Sequence, residues 1–428
     1  TSAVLTDMPS NTNDKSITHG LGGIVGVNEG MIWDVAAFGA TNGTYGALLN
    51  PSNEYVGGIA GVNYGWLLRA YNEAAVIGAS NVGGIAGKNE DRVGLKETPL
   101  LGDVGFINNS VNAGSVTSVV LDKNSAVKYT GGIAGSNFGE IQYGRNTGAV
   151  TGGSFVGGMV GRNDAKGTIT GVSNAISASI TGREHVGGIA GTNAGAISGS
   201  DSLTNEGSIS GNQYVGGIAG ENQAGGVIEN VNTSINLDVS GTGAKYFGGV
   251  TGTNSGTITN AHNTGDVSAS EAEYVGGITG VNAENAVLEN AGNSGNVFGG
   301  SHVGGVAAVN NSSHDGGKIT NSGTVTAKNG GAAGIFYENN AGLNNVELVN
   351  TGEVYGNSDS DGHGSGGVIG VNNGNITNSK LTNSGNVNGG VNTGGVIGVN
   401  SGKISGSTLA NTFEAQVSGG NNTGGLIG

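Results

Sequence analysis

Apolar residues occur along this chain in short pieces, each closed by Gly, Asn or Ser. One phrase, Gly-Gly-apolar-x-Gly-x-Asn, recurs throughout, as G-G-I-V-G-V-N from Gly22, G-G-I-A-G-V-N from Gly57 and G-G-I-A-G-K-N from Gly83. It returns at Gly131, Gly157, Gly187, Gly216, Gly248, Gly276, Gly304, Gly366 and Gly394, with a degenerate copy, G-G-A-A-G, at Gly330 and a last copy from Gly424. The mean period from Gly22 to Gly424 is about 31 residues, within the range of solenoid repeats. After each Asn come Gly-x-Ile, a second Asn and Gly-x-Val, as in G-T-I-T-N-A-H-N-T-G-D-V from Gly256. Each unit thus holds three short apolar pieces between turn formers. These read as strands, because no 3.6-residue periodicity persists and glycine is costly inside helices.

Three strands and three turns in about 30 residues describe one coil of a parallel β-solenoid. The expectation is an all-β fold of about 14 coils, right-handed by the crossover preference. A single coil cannot bury its own apolar face. Stacked about 4.8 Å from its neighbour, it pairs every strand and lines up Val and Ile in inward ladders. Glycine is expected to supply positive φ at corners and to let backbones approach. The phrase's Asn should stack on itself through Asn28, Asn63, Asn89, Asn137, Asn163, Asn193, Asn222, Asn254, Asn282, Asn310, Asn372 and Asn400. A buried amide needs partners, and a ladder provides them at every step. A second ladder is expected through Asn146, Asn174, Asn205, Asn232, Asn263, Asn293, Asn350 and Asn383.

Two residues before the Gly-Gly stand Tyr55, Tyr129, Phe155, His185, Tyr214, Tyr246, Tyr274 and His302, usually followed by Val. Alternation turns Val inward and the ring outward. The resulting aromatic edge either stacks on itself and stiffens the fold or offers a docking strip for sugar rings or a neighbouring molecule. The edge stops after His302, where the matching positions are Lys328, Gly364, Asn392 and Asn422.

Residues 1–20 lack the repeat and read as a cap or an inter-subunit joint, and 21–428 as one continuous solenoid. Loop insertions are expected near 39–55, 90–130, 336–347 and 356–365. The last holds Asp359, Asp361 and His363, which read first as a plain solvated Gly-Ser loop and only weakly as a candidate for Ca²⁺.

Composition narrows the function. Glycine supplies 90 of 428 residues with only 3 prolines and no strict Gly-X-Y period, which excludes collagen. Net charge −15 opposes nucleic-acid binding. Cysteine is absent, so disulfides and thiolate chemistry are excluded. No apolar run is long enough for a membrane-spanning helix. No zinc-peptidase or nucleophile-elbow motif occurs, and glycine-rich phosphate-loop matches arise by chance in so glycine-rich a chain. The five arginines Arg69, Arg92, Arg145, Arg162 and Arg183 are scattered, whereas a polysaccharide lyase on a solenoid groups its carboxylates and basic residues. No cofactor and no enzymatic activity are expected.

The phrase Gly-Gly-Ile-Ala-Gly-x-Asn-x-Gly-x-Ile resembles the GLUG repeat of large bacterial surface and secreted proteins, among them filamentous-haemagglutinin-like adhesins and the stalks of IgA-cleaving metallopeptidases. The resemblance covers about residues 21–428. It implies an extracellular or cell-surface bacterial protein, and it carries over no catalytic residue because the peptidase's zinc motif is missing. The expected function is a structural and adhesive element: a stalk, an adhesin passenger or a filament subunit. Self-association, end to end or lateral, and a host-surface or glycan ligand are the expected partners. The alternative is a glycan-binding or polysaccharide-processing β-helix protein.

Overall fold

The computed structural model describes residues 20–38, 55–90, 104–119, 128–199, 203–238, 243–357 and 363–428. Every regular element among them is a short strand, and every pairing is parallel between one winding and the next. The fold is a β-solenoid. It divides into two compact units, Thr1–Ser210 and Gly211–Gly428.

A winding of the first unit runs Tyr55–Gly57, Ala60–Asn63, Trp66–Leu68, Tyr71–Asn72 and Val76–Gly78. A winding of the second unit runs Tyr274–Gly276, Thr279–Asn282, Val287–Glu289, Gly292–Asn293 and Val297–Gly299. Five strands per winding replace the three expected. The chain turns a corner inside the phrase, between its second Gly and the next residue. It turns again after the third strand, at a residue with left-handed backbone, Arg69 at φ 53° or Asn290 at φ 49°. Six windings open in the first unit and eight in the second, the last of them Thr423–Gly424 alone. The number of complete turns therefore falls somewhat below the expected 14 coils, because each copy of the phrase opens a winding but does not close one.

Register is like over like. In the first unit Val56 pairs with Val82, Asn63 with Asn89, Leu67 with Ile107 and Val76 with Val116. The interior is filled by these columns and by the phrase's central aliphatics; Ile59, Ile85, Ile133, Met159 and Ile189 are all fully buried. Full burial of such a side chain contributes roughly 1.5–3 kcal/mol.

The glycines do something other than expected. Most left-handed corners carry side chains: Asp34, Arg69, Asn109 and Tyr143 in the first unit, and Asn230, Asn260, Asn290, Asn345 and Asn378 in the second. Asn and Asp tolerate this conformation through local hydrogen bonds. The phrase's own glycines have no positive φ and are required for close approach instead. A Cβ on Gly249 would run into the Gly277 carbonyl oxygen of the next winding and the Asn263 side-chain amide. Gly58 faces Asn72 and Gly305 faces Asn321 in the same way. The second Gly and the second Asn of each unit are thus one packing device.

Several boundaries shift. Residues 336–347 contain the strands Phe336–Asn339 and Leu343–Asn344 in regular register, so they are not an insertion. The degenerate copy is displaced by three residues: Gly304 pairs with Ala333, not with Gly330. The ring position of that winding is accordingly Gly331 rather than Lys328. Within 90–130, Phe106–Asn108, Val111–Asn112 and Val116–Ser118 are regular strands. Residues 1–19 and 39–54, and Asp359 and Asp361, lie outside the described residues.

In the second unit the third strand changes ladder. His314–Asp315, Leu343–Asn344, Ile376–Thr377 and Ile404–Ser405 pair among themselves. The winding that starts the new ladder steps through Gly316 and Gly317, at φ 84° and 86°.

Two substitutions test this account. Asn254→Leu leaves the Asn222 donor and the Asn282 amide without their partner, and should cost about 2–4 kcal/mol. Gly249→Val should cost more, because neither the Gly277 carbonyl nor the Asn263 amide can give way. Urea unfolding followed by circular dichroism measures both, and an unshifted midpoint would contradict the ladder assignment.

Candidate functional site

Three columns of polar or aromatic side chains carry the chemistry. The first is the phrase's Asn at the end of the second strand. In the first unit Asn28 Nδ2 donates to Asn63 Oδ1, Asn63 to Asn89, Asn89 to Asn137, Asn137 to Asn163 and Asn163 to Asn193, each at 2.8 Å. In the second unit the chain of donors runs Asn222, Asn254, Asn282, Asn310, Asn339, Asn372, Asn400 at 2.8–2.9 Å. Most of these donors also reach a backbone carbonyl two to four residues on, as Asn63 reaches Gly65 at 2.9 Å. Asn339 belongs to this ladder; the three-residue displacement of its phrase hid it from the sequence reading.

The second column ends the fourth strand. Asn72 donates to Asn112 and Asn112 to Asn146 at 2.8 Å, and Asn146 to Asn174 at 3.3 Å. In the second unit the donors run Asn263, Asn293, Asn321, Asn350, Asn383, Asn411 at 2.8–2.9 Å. Asn72, Asn112, Asn321 and Asn411 are members the sequence reading missed. Asn232 is not a member. It lies exposed, and Thr233 takes the ladder position, its hydroxyl donating to Asn263 Oδ1 at 2.8 Å. The neighbouring Asn-Thr pair shifted the sequence alignment by one residue, which in a strand exchanges the two faces.

The third column is the aromatic edge. In the first unit Phe155 and His185 stack at 4.6 Å with planes 16° apart, and Tyr129 tilts against Phe155 at 5.3 Å. Tyr55 stands apart from these rings, with the Lys88 ammonium 5.3 Å from its centre. Lys88 also lies 4.7 Å over Phe138 and pairs with Glu90; Arg162 pairs with Asp164 and lies 5.6 Å over Tyr129. In the second unit Tyr214, Tyr246 and Tyr274 stack at 4.9 and 5.3 Å, with planes 22° and 7° apart, and His302 follows at 4.9 Å. The matching valines, such as Val156, Val186, Val215 and Val275, are fully buried, so the alternation is as expected.

Phe155 with His185, and Tyr214, Tyr246 and Tyr274, turn their faces to one another. Their geometry is that of internal stacking. Phe155, His185 and Tyr214 hold left-handed backbone, at φ 54°, 51° and 54°, a strain of about 1–3 kcal/mol each that the surrounding structure must sustain. Burial, with Glu273 beside it, pushes the Tyr274 phenol up to about 12.

After His302 the column continues with residues from elsewhere in the repeat. Tyr337 meets the His302 ring edge-on at 4.9 Å and covers Gly331. Phe336 and Tyr337 stand where other copies have Ala and Gly, which is the signal in the sequence. The Tyr337 hydroxyl hydrogen-bonds His363 Nδ1 at 2.6 Å. His363 is therefore tied into the ring column. Burial, and His363 beside it, hold the His302 imidazole below its ordinary value.

His314 is a further residue the sequence reading passed over. It sits at the aliphatic position of the third strand, paired with Leu343 and 7 % exposed. Its Nε2 is 3.1 Å from Asn310 Oδ1 and its ring stacks on Phe336 at 5.7 Å. Burial lowers it from 6.5 to about 4.

Comparison of the chain with family models, with curated proteins and with solved structures returned no match.

Two outcomes follow from these columns. Tyr246→Ala removes two stacked pairs and should lower the stability of the second unit by about 1–3 kcal/mol while strand content is retained. Calorimetry with circular dichroism measures it, and loss of the fold would mean the rings do more than stack. His314 favours the neutral form when folded. As pH falls from 6.5 towards 4 the unfolded chain takes up the proton first, so stability drops over that window, by on the order of 3 kcal/mol. His314→Leu should remove most of that acid-side loss; an unchanged pH profile would place the titration elsewhere.

Proposed function

We propose that the chain is a non-enzymatic structural and adhesive element of a bacterial surface or secreted protein, acting outside the cell as a stalk, adhesin passenger or filament subunit. The observation that carries this reading is where the chain spends its polar chemistry. Its buried amides and stacked rings bond winding to winding within each unit, which suits an element that transmits force and spaces other parts. The GLUG-like phrase supports the same reading and adds the bacterial surface setting. Association with further copies of itself, end to end or laterally, belongs to this proposal, as does contact with a host surface or glycan.

The chain displayed on the surface of a non-adherent bacterium tests the proposal. Attachment to glycan-coated or epithelial surfaces should rise several-fold over cells displaying an unrelated repeat protein. Negative-stain microscopy of the purified chain should show discrete elongated particles or fibres. Unchanged attachment together with turnover of a polysaccharide substrate would replace this reading with the enzymatic one.

A further inference from the structure

The outward row of the fourth strand in the second unit reads Asn232, His262, Gly292, Thr320, Val349 and Thr382 from winding to winding. Gly292 is the one position among these six without a side chain. The gap lies beside the step at which the third strand changes ladder, where Gly316 and Gly317 have nothing within 4 Å of an added Cβ. An open surface depression of about 360 Å³ lies here, lined by His262, Gly292, Lys318 and Thr320 among others.

Its walls are chemically specific. Ala261 and Ala291, at 1 % and 2 % exposure, form an apolar floor. Asn260 and Asn290 line one side from left-handed corners; Asn260 Nδ2 donates to Asn230 Oδ1 at 3.0 Å and Asn290 Nδ2 to Asn260 Oδ1 at 3.3 Å. That row of amides stops at Asn290, because the next winding turns on glycines. His262 is held through Nε2, 3.2 Å from Ser294 Oγ, and a Cβ on Gly292 would lie 2.6 Å from its Nδ1 and 3.0 Å from Thr320 Oγ1. Both side chains therefore lean over Gly292 and form the inner wall of the depression. Lys318 completes the lining. Its partner Glu347, at 3.5 Å, is shared with Lys380 at 3.6 Å, so two lysines divide one carboxylate. No lining residue is acidic, in a chain of net charge −15.

We propose that this notch binds one carboxylated pyranose, a uronate residue free or within a polysaccharide. The carboxylate is received by Lys318, with Thr320 and His262 beside it. The ring hydroxyls meet the amides of Asn260 and Asn290. This goes beyond the structural reading and does not depend on it.

The test is titration of the full chain by calorimetry and saturation-transfer NMR with methyl β-D-glucuronide, methyl β-D-glucoside and acetate. The glucuronide should bind saturably in the millimolar range, with the glucoside and acetate each at least about tenfold weaker, a difference of about 1.4 kcal/mol. Gly292→Thr forces the His262 ring out of its place, because a Cβ there would lie 2.6 Å from Nδ1, and should abolish binding in a protein whose strand content circular dichroism shows to be retained. Lys318→Gln should weaken the glucuronide about tenfold and remove its salt dependence. The proposal is overturned by no saturable glucuronide binding, by equal binding of the glucoside or of acetate, or by binding that survives Gly292→Thr in a folded protein.

Discussion

Most polar side chains buried in this fold are met by the same group at the same height in the next winding. Parallel strands about 4.8 Å apart impose that spacing on every side chain. An amide, with a donor at one end and an acceptor at the other, meets the condition without any other residue type taking part. Asn at two positions of the winding therefore serves where most proteins bury only hydrocarbon, and the glycines follow from it. Gly249 must lack a Cβ because the Asn263 amide and the next winding's carbonyl already occupy the space. The aliphatic columns and the ring column obey the same like-over-like rule with weaker penalties for departure. This explains why Thr130 can pair with Val156 and Phe336 with Ala307, whereas nearly every Asn of the first ladder faces another Asn.

The fold was legible because its rule is translational. A phrase repeated with a nearly fixed period reveals the stacking, the inward Val and Ile, and most of both amide ladders. What stayed hidden is local. Corners are not legible, since Arg69 and Tyr143 adopt a backbone conformation that propensity assigns to Gly or Asn; the winding therefore reads as three strands where it has five. A copy that has lost its marker hides its own register, and the displacement of three residues at Gly330 conceals both Asn339 and the role of Tyr337. The ring column was read correctly as outward-facing, yet its use was not legible, because only coordinates show that Tyr246 and Tyr274 lie 7° from parallel.

Departures from the repeat gather in one part of the second unit. Gly292, His314, the Gly316–Gly317 step, Phe336 and Tyr337 fall within a few successive windings. These are places where the residue of one winding is not repeated in the next. His314 brings a titratable ring into an aliphatic column, and Gly292 leaves the outward row of its strand without a side chain between His262 and Thr320. A ligand, or a response to acid, has most to act on there.

The amide ladders also have a direction. In both buried ladders the inter-winding amide bonds run from Nδ2 to the Oδ1 of the winding that follows in sequence, opposite to the exposed row in which Asn260 donates back to Asn230 and Asn290 to Asn260. The small moments therefore add rather than cancel, as peptide dipoles add along a helix. Within each unit every hydrogen-bonded step of the two ladders keeps Oδ1 towards the preceding winding and Nδ2 towards the following one. Flipping a single amide would set oxygen against oxygen on one side and N–H against N–H on the other, so two bonds would be lost at once.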